Sequence, residues 1–236
     1  MIPGLISLMM PTRGRPANVA RLLASILGTS AVTKLVEVLF YVDDDDPDLP
    51  AIQSEIAKSN YLTAKIHIGP RIVLSECPNV LWRERAQGEI LAFLGDDYIF
   101  RSFSWDALVR RAFERCPDKI LFVHGRDGIH PDGAFGTYGF IHQKWAQALG
   151  GVLPSHFGAD WADNWVNEVA NAISRRRYIP EIYLEHMHPI AGKAPLDKTH
   201  IERLARAPSA GVKYAETKAE RVRDADILRN LMDKSI

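Results

Sequence analysis

The sequence predicts an α/β protein with a mostly parallel central sheet and helices on both faces. Two observations carry that expectation. Short apolar runs of strand length alternate with amphipathic stretches of helix length through the first 124 residues. Two of those runs end on carboxylates, where strands of open α/β sheets meet a ligand crevice. At 236 residues the chain fits one large domain, or one domain with a C-terminal extension.

The first strand is the run Leu5 to Met10, stopped by Pro11. Pro11 to Pro16 is a loop by its Gly and Pro content. Asn18 to Leu27 has helical spacing, with Val19, Leu22, Leu23 and Ile26 on one face and Gly28 as its stop. Val36 to Val42, β-branched and aromatic, is a second strand that runs into Asp43-Asp44-Asp45-Asp46-Pro47. A helix over about Leu49 to Lys58 and a strand over Lys65 to Ile68 follow. Asn79 to Gln87 is helical, and Gly88 separates it from the apolar run Ile90 to Leu94. Trp105 to Arg115 is an amphipathic helix and Lys119 to His124 a further strand.

Beyond His124 the rhythm changes. Gly125 to Tyr138 is rich in Gly, Asp and Pro and reads as an irregular loop over the sheet edge. Gln143 to Leu149 is a short helix, Asp160 to Arg175 a longer one, and Ile179 to Glu185 a last strand. Ala191 to Ala210 has little periodicity and reads as a lid or arm. Thr217 to Met232 is a terminal amphipathic helix with Val222, Ala225 and Leu228 in its stripe.

Composition is ordinary for a globular chain, 47% hydrophobic and 25% charged, with a formal net charge of zero. That excludes a global electrostatic pull toward nucleic acid or an anionic membrane, though not a local basic patch. Cys77 and Cys116 form no metal-binding or redox motif, which fits a reducing, cytoplasmic setting. No apolar run reaches bilayer length, and Met1 to Gly4 carries no basic leader.

Five constellations carry candidate chemistry. The buried run from Ile90 delivers Asp96 and Asp97 to its carboxyl end, where two adjacent acids need a positive partner. A divalent ion carrying phosphates would supply it, with one carboxylate on the metal and its neighbour on a ribose; a solvated acidic turn is the bland alternative. In the run after Val42, Asp43 and Asp45 share a side if the strand continues and are candidates for the nucleoside, while at least two of the four acids must be surface residues. Thr12, Arg13 and Arg15 occupy a loop before a helix, where an anion is favoured, although the loop is neither GxGxxG nor a P-loop. His186 and His188 project to one face of an extended segment and are candidate metal ligands. Asp160 is either a helix cap or a general base, and one of Trp161 and Trp165 belongs to the core.

Taken together, these pieces resemble the GT-A glycosyltransferases, particularly the family 2-like group. Ile6 to Pro16 is similar to that group's first strand and nucleotide loop, Leu39 to Asp44 to its second strand, and Ala86 to Asp97 to its approach to the metal motif. The usual Asp-x-Asp stands here as Gly95-Asp96-Asp97, without its first carboxylate. The resemblance covers roughly residues 4 to 193. It implies a GT-A-type three-layer sandwich over 1–193, with a nucleotide half to about 100, an acceptor half after it, and a C-terminal lid and helix over 194–236.

The activity implied is metal-dependent transfer of a sugar from a nucleotide-diphosphate sugar to an acceptor hydroxyl. Asp97 and His188, with His186 in reserve, would hold Mn2+ or Mg2+; Asp96 would meet the ribose or metal-bound water; Arg13 or Lys193 would meet the departing diphosphate; Asp160 would be the base. The acceptor is open among a glycan, a small molecule and a modified nucleic acid, and a homodimer is possible. The competing readings are a sugar nucleotidyltransferase, against which the short first loop counts, a metallohydrolase built on the histidines, and a non-catalytic nucleotide-sugar-binding module.

Overall fold

The computed structural model describes residues 1–59, 63–158 and 160–233. Its elements run β1 (Ile2–Thr12), α1 (Pro16–Thr29), β2 (Val36–Asp43), α2 (Leu49–Ala57), β3 (Thr63–Gly69), α3 (Cys77–Glu84), β4 (Gly88–Phe93) and β5 (Tyr98–Phe100). They continue with α4 (Trp105–Glu114), β6 (Phe122–Arg126), β7 (Gly139–His142), α5 (Gln143–Leu149), α6 (Ala162–Ala172), β8 (Arg176–His186), α7 (Lys198–Glu216) and α8 (Lys218–Asp233). The strands form one sheet in the order β3-β2-β1-β4-β7-β6-β8-β5.

The first half of the sheet is parallel. Leu8 of β1 lies between Val38 of β2 and Ala92 of β4 in register. All eight residues of β2 are buried, the near-continuous apolar pattern of a strand covered on both faces. Alternation splits the core in two. Ile6, Leu8, Met10 and Phe40 pack with Leu22 and Ile26 of α1 and Val109 of α4. Met9, Leu39, Tyr41 and Phe93 pack with Leu81 of α3, Trp145 of α5, Trp165 of α6 and Leu228 of α8. β4 lies close against β1: a Cβ on Gly88 would sit 2.5 Å from Ser7 Oγ and 2.7 Å from the Leu5 carbonyl.

The second half corrects the expected mostly parallel sheet to a mixed one. β7 is antiparallel to both β4 and β6, and β5 is antiparallel to β8. The cause is a missing crossover. The chain leaves β6, makes an irregular loop without a helix, and returns beside it as β7, which only an antiparallel strand can do. So the Gly-rich segment does not simply skirt the sheet edge; it leads into a strand in the middle of the sheet. The stretch expected to lack regular structure also contains most of α7. Its Pro208 and Gly211, and an apolar face turned to solvent, hide the helical period. Among the described residues no helix is long and apolar enough to cross a membrane, and Cys77 and Cys116 are free and buried.

Candidate functional site

A cavity of about 300 Å³ opens at the carboxyl ends of β1, β2 and β4. β1 is the strand where the order reverses, with β2 and β3 on one side and β4 on the other, so the crevice lies at the position where open α/β sheets bind ligands. Thr12, Arg13, Arg15, Asp43, Asp96 and Asp97 line its sheet side. Asp160, His186 and His188 close it from the other half of the chain. Two expected residues are not brought there. Asp45 lies outside the cavity, largely exposed, and Lys193 donates to Glu185 and to the Gly128 carbonyl at 2.9 and 3.1 Å.

The adjacent acids face different partners. Asp96 is 3% exposed and turned back into the protein, accepting from Thr12 Oγ1 at 2.7 Å and Arg15 Nη1 at 3.0 Å. Both oxygens are thus spent on the β1–α1 loop. Asp97 faces the cavity. His186 Nε2 lies 3.4 Å from its Oδ1 and His200 Nε2 3.8 Å from its Oδ2. Burial opposes ionisation of Asp97, but His186, His200 and the Arg15 charge hold it well below the ordinary carboxylate range. A Cβ at Gly95 would lie 2.6 Å from Asp97 Oδ1, so a side chain there would displace that carboxylate.

Arg13 gathers the acids of the β2 turn, donating through Nη1 to Asp43 at 2.9 Å and also to Asp45. The two do share a side, as the alternation implies, although β2 ends at Asp43. Asp44 and Asp45 are the surface pair. Asp46 instead is buried and accepts from the backbone N–H groups of Gly14 and Asp48, both at 2.9 Å, tying the β2 turn to the first loop. Burial raises the Asp43 carboxyl against the pull of Arg13.

The histidines meet at the end of β8. His186 pairs in register with Tyr98 and stacks on its ring at 4.3 Å. His188 follows the strand in extended backbone, its ring 5.1 Å from His186 and 5.0 Å from His200. His188 Nδ1 accepts from the Ile190 N–H at 3.2 Å. Burial and the neighbouring His186 lower its pKa to about 4, so its imidazole is neutral at pH 7. His186 Nδ1 is buried without a partner. Among the described residues no three His, Cys, Asp or Glu side chains already close a metal-ion cage.

His200 is the site residue that sequence reasoning missed. It lies in the first turn of α7, which Asp197 caps by accepting the His200 N–H at 2.9 Å. Asp197 also accepts from Arg15 Nε at 2.7 Å and Nη2 at 2.8 Å. Burial opposes this charge, but Arg15 and the helix N–H lower Asp197 to about 2. The available signal was an aspartate three residues before His200, a helix-start pattern.

On the far wall, Asp160 pairs with Arg203 of α7. It does not cap α6, whose N-cap is Trp161 in left-handed backbone at φ 84°; its predecessor Ala159 lies outside the described residues. Trp165 is the core tryptophan and donates to Asp224 at 2.9 Å, whereas Trp161 packs on Tyr214. Asp163, in the first turn of α6, lines the cavity, and its oxygen accepts from the Asn164 N–H at 2.9 Å. Burial, helped by the Asp160 charge, raises it to about 6.

By sequence, no family model and no curated protein matches the chain. Solved structures match its shape. A mannosyltransferase, PcManGT from Pyrobaculum calidifontis, in complex with GDP-Man and Mn2+, superposes with a TM-score of 0.63 at 12% identity, over 98% of this chain and 73% of that one. S. aureus TarS 1–349 in complex with UDP superposes at 0.60 and 16% identity, over 76% of this chain and 59% of that one. The same protein in complex with UDP-GlcNAc gives 0.59 and 16% identity, over 97% and 71%. At these identities the likeness is one of fold: the chain has the mixed α/β fold of these nucleotide- and sugar-nucleotide-bound proteins.

Proposed function

We propose that the chain is a GT-A-type glycosyltransferase that takes a nucleotide-diphosphate sugar as donor and uses a divalent cation. The observation that carries this is Asp97: a buried, ionised carboxylate at the switch point of the sheet, facing a cavity rimmed by arginines. The likeness to a fold that holds GDP-Man with Mn2+ supports it.

The donor set fits such a cation. An ionised carboxylate is suited to Mn2+ or Mg2+, which keep water and phosphate oxygens in their remaining positions. Asp97 and His188, or His186 through its side facing Asp97, would hold it. When bound, the ion neutralises charge on the departing diphosphate. Arg13, ordered by Asp43, lies at the nucleoside end. Asp96 and Thr12 set the loop that carries Arg13 and Arg15. The proton of the acceptor hydroxyl is assigned to Asp163, whose raised pKa suits a base near neutrality, and not to Asp160, which Arg203 holds as an ion pair. Asp160 then orients Arg203 at the acceptor side. With a base on this wall, direct attack and inversion at the anomeric carbon follow.

The test is calorimetric titration with nucleoside diphosphates and sugar nucleotides, with and without Mn2+, followed by an assay of nucleoside diphosphate release. Cation-dependent binding with release is the expected result. Nucleotide binding without release would leave a binding module, and cation binding without nucleotide affinity would favour a metallohydrolase.

A further inference from the structure

The C-terminal helices present an apolar surface that the site does not use. Among the described residues thirteen large hydrophobics are exposed, and six of them fall between Ile190 and Val222. Ile201, Leu204 and Val212 of α7 are 55%, 50% and 60% exposed. With exposed Ala205 and Pro208 they recur at intervals of three and four, a stripe about 16 Å long on the outer face of the helix. The opposite face carries His200 and Arg203 toward the cavity. α7 thus packs Ala210 and Tyr214 inward, beside the polar His200 and Arg203, and turns an aliphatic stripe to solvent.

The exposed charges of this segment are mostly basic. Exposed residues from 198 to 218 include Lys198, Arg206, Lys213 and Lys218 against the single carboxylate Glu216. Glu202 is held by Arg71. Among the described residues no ion pair closes on any of these four cations. In a chain of zero net charge this is a local basic excess along an aliphatic face. Two copies of the chain do not suit it. Pairing α7 with itself in parallel sets Lys198, Arg206 and Lys213 each against its own copy. A protein partner would ordinarily find aromatic anchors at such a surface, and this stripe has none.

We propose that the outer face of α7 docks on an anionic lipid surface. The aliphatic stripe would enter the headgroup boundary while the lysines meet lipid phosphates, the arrangement of a helix lying in the plane of a bilayer. Because the same helix carries His200 and Arg203, docking would hold the cavity mouth beside the membrane. This proposal does not depend on the transfer reaction.

The experiment is co-sedimentation of the full chain with phosphatidylcholine vesicles, with and without phosphatidylglycerol, at rising salt. Binding to the anionic vesicles that weakens with salt is expected, with little binding to phosphatidylcholine alone. The double variant Ile201→Asp with Leu204→Asp should reduce it about tenfold or more, with unchanged circular dichroism. A second variant, Lys198→Glu with Lys213→Glu, leaves the stripe intact and should also reduce it about tenfold or more. Absence of binding to anionic vesicles, or binding indifferent to both variants, overturns the proposal. So does self-association, seen by sedimentation velocity, that the Ile201→Asp, Leu204→Asp variant abolishes while vesicle binding is absent.

Discussion

Arg15 grips Asp197 across 182 residues of chain, through two hydrogen bonds of 2.7 and 2.8 Å, while its third nitrogen donates to Asp96 at 3.0 Å. One planar guanidinium thus ties the first loop, the strand-end acids and the start of α7 into a single unit, a geometry that lysine could not reproduce.

Asp197→Asn should loosen α7 without unfolding the sheet. The Asp197 side chain is partly exposed, so screening limits the loss to about 1 kcal/mol in local opening. Hydrogen exchange should accelerate in α7 and stay unchanged in β1 and β2. Equal protection of α7 in variant and wild type would show that the tether contributes nothing. Because Asp197 is lowered to about 2, its contribution in the wild type is present above about pH 4 and is lost as pH falls toward 2.

Asp97→Ala should weaken nucleoside diphosphate binding in Mn2+ by about tenfold or more and leave binding in chelator unchanged. His188→Ala should weaken it in the same direction by less, if water replaces the imidazole. Calorimetry in paired buffers measures both. Wild-type affinity for Asp97→Ala in Mn2+ would remove the cation from the proposed function.

The two acids of the far wall separate by rate. Asp163→Asn should lower transfer about 10²-fold or more and flatten the acid limb of the pH–rate profile near 6. Asp160→Asn should act mainly on KM for the acceptor, because its partner is Arg203. The opposite pattern would return the base to Asp160.

His124 gives a stability prediction independent of the reaction. It is fully buried between Phe122 and Tyr178, with both ring nitrogens unpartnered. Burial, then the Arg176 charge, lowers its pKa to about 4. Above about pH 6.5 the folded and unfolded states are both neutral there. As pH falls from 6.5 to 4 the unfolded chain takes up a proton the folded one refuses, at a cost that reaches about 3 kcal/mol. Urea denaturation of His124→Phe should show less acid destabilisation over that window than the wild type. Parallel pH curves would refute the assignment.

The sheet-end acids were legible in the sequence because β4 is buried on both faces and its apolar run stops abruptly at Gly95. The helical face of α1 was legible for a related reason: one apolar stripe meets one sheet. β7 was not legible. Its four residues, Gly139 to His142, lie between a Gly-rich loop and a helix, and its direction depends on a return without crossover, which has no local signature. His200 was missed because the larger aliphatic residues of α7, Ile201, Leu204 and Val212, face solvent, so the apolar pattern does not mark the buried face. Lys193 looked functional from its place after His188, but Glu185, which also pairs with Arg101, takes its charge. Local pattern located the elements; which charges remain free for a ligand is decided by long-range ion pairs.

The grip of Arg15 on Asp197 has a consequence for biosynthesis. A ribosome makes the strand-end acids well before it makes α7, and the exit tunnel delays α7 further. Through that interval a nascent chain can assemble β1, β2 and β4 and expose Asp97 with neither His186 nor His200 against it. The first half of the sheet therefore emerges as an open shelf, and becomes a closed cavity only when a much later segment is brought back to its first loop.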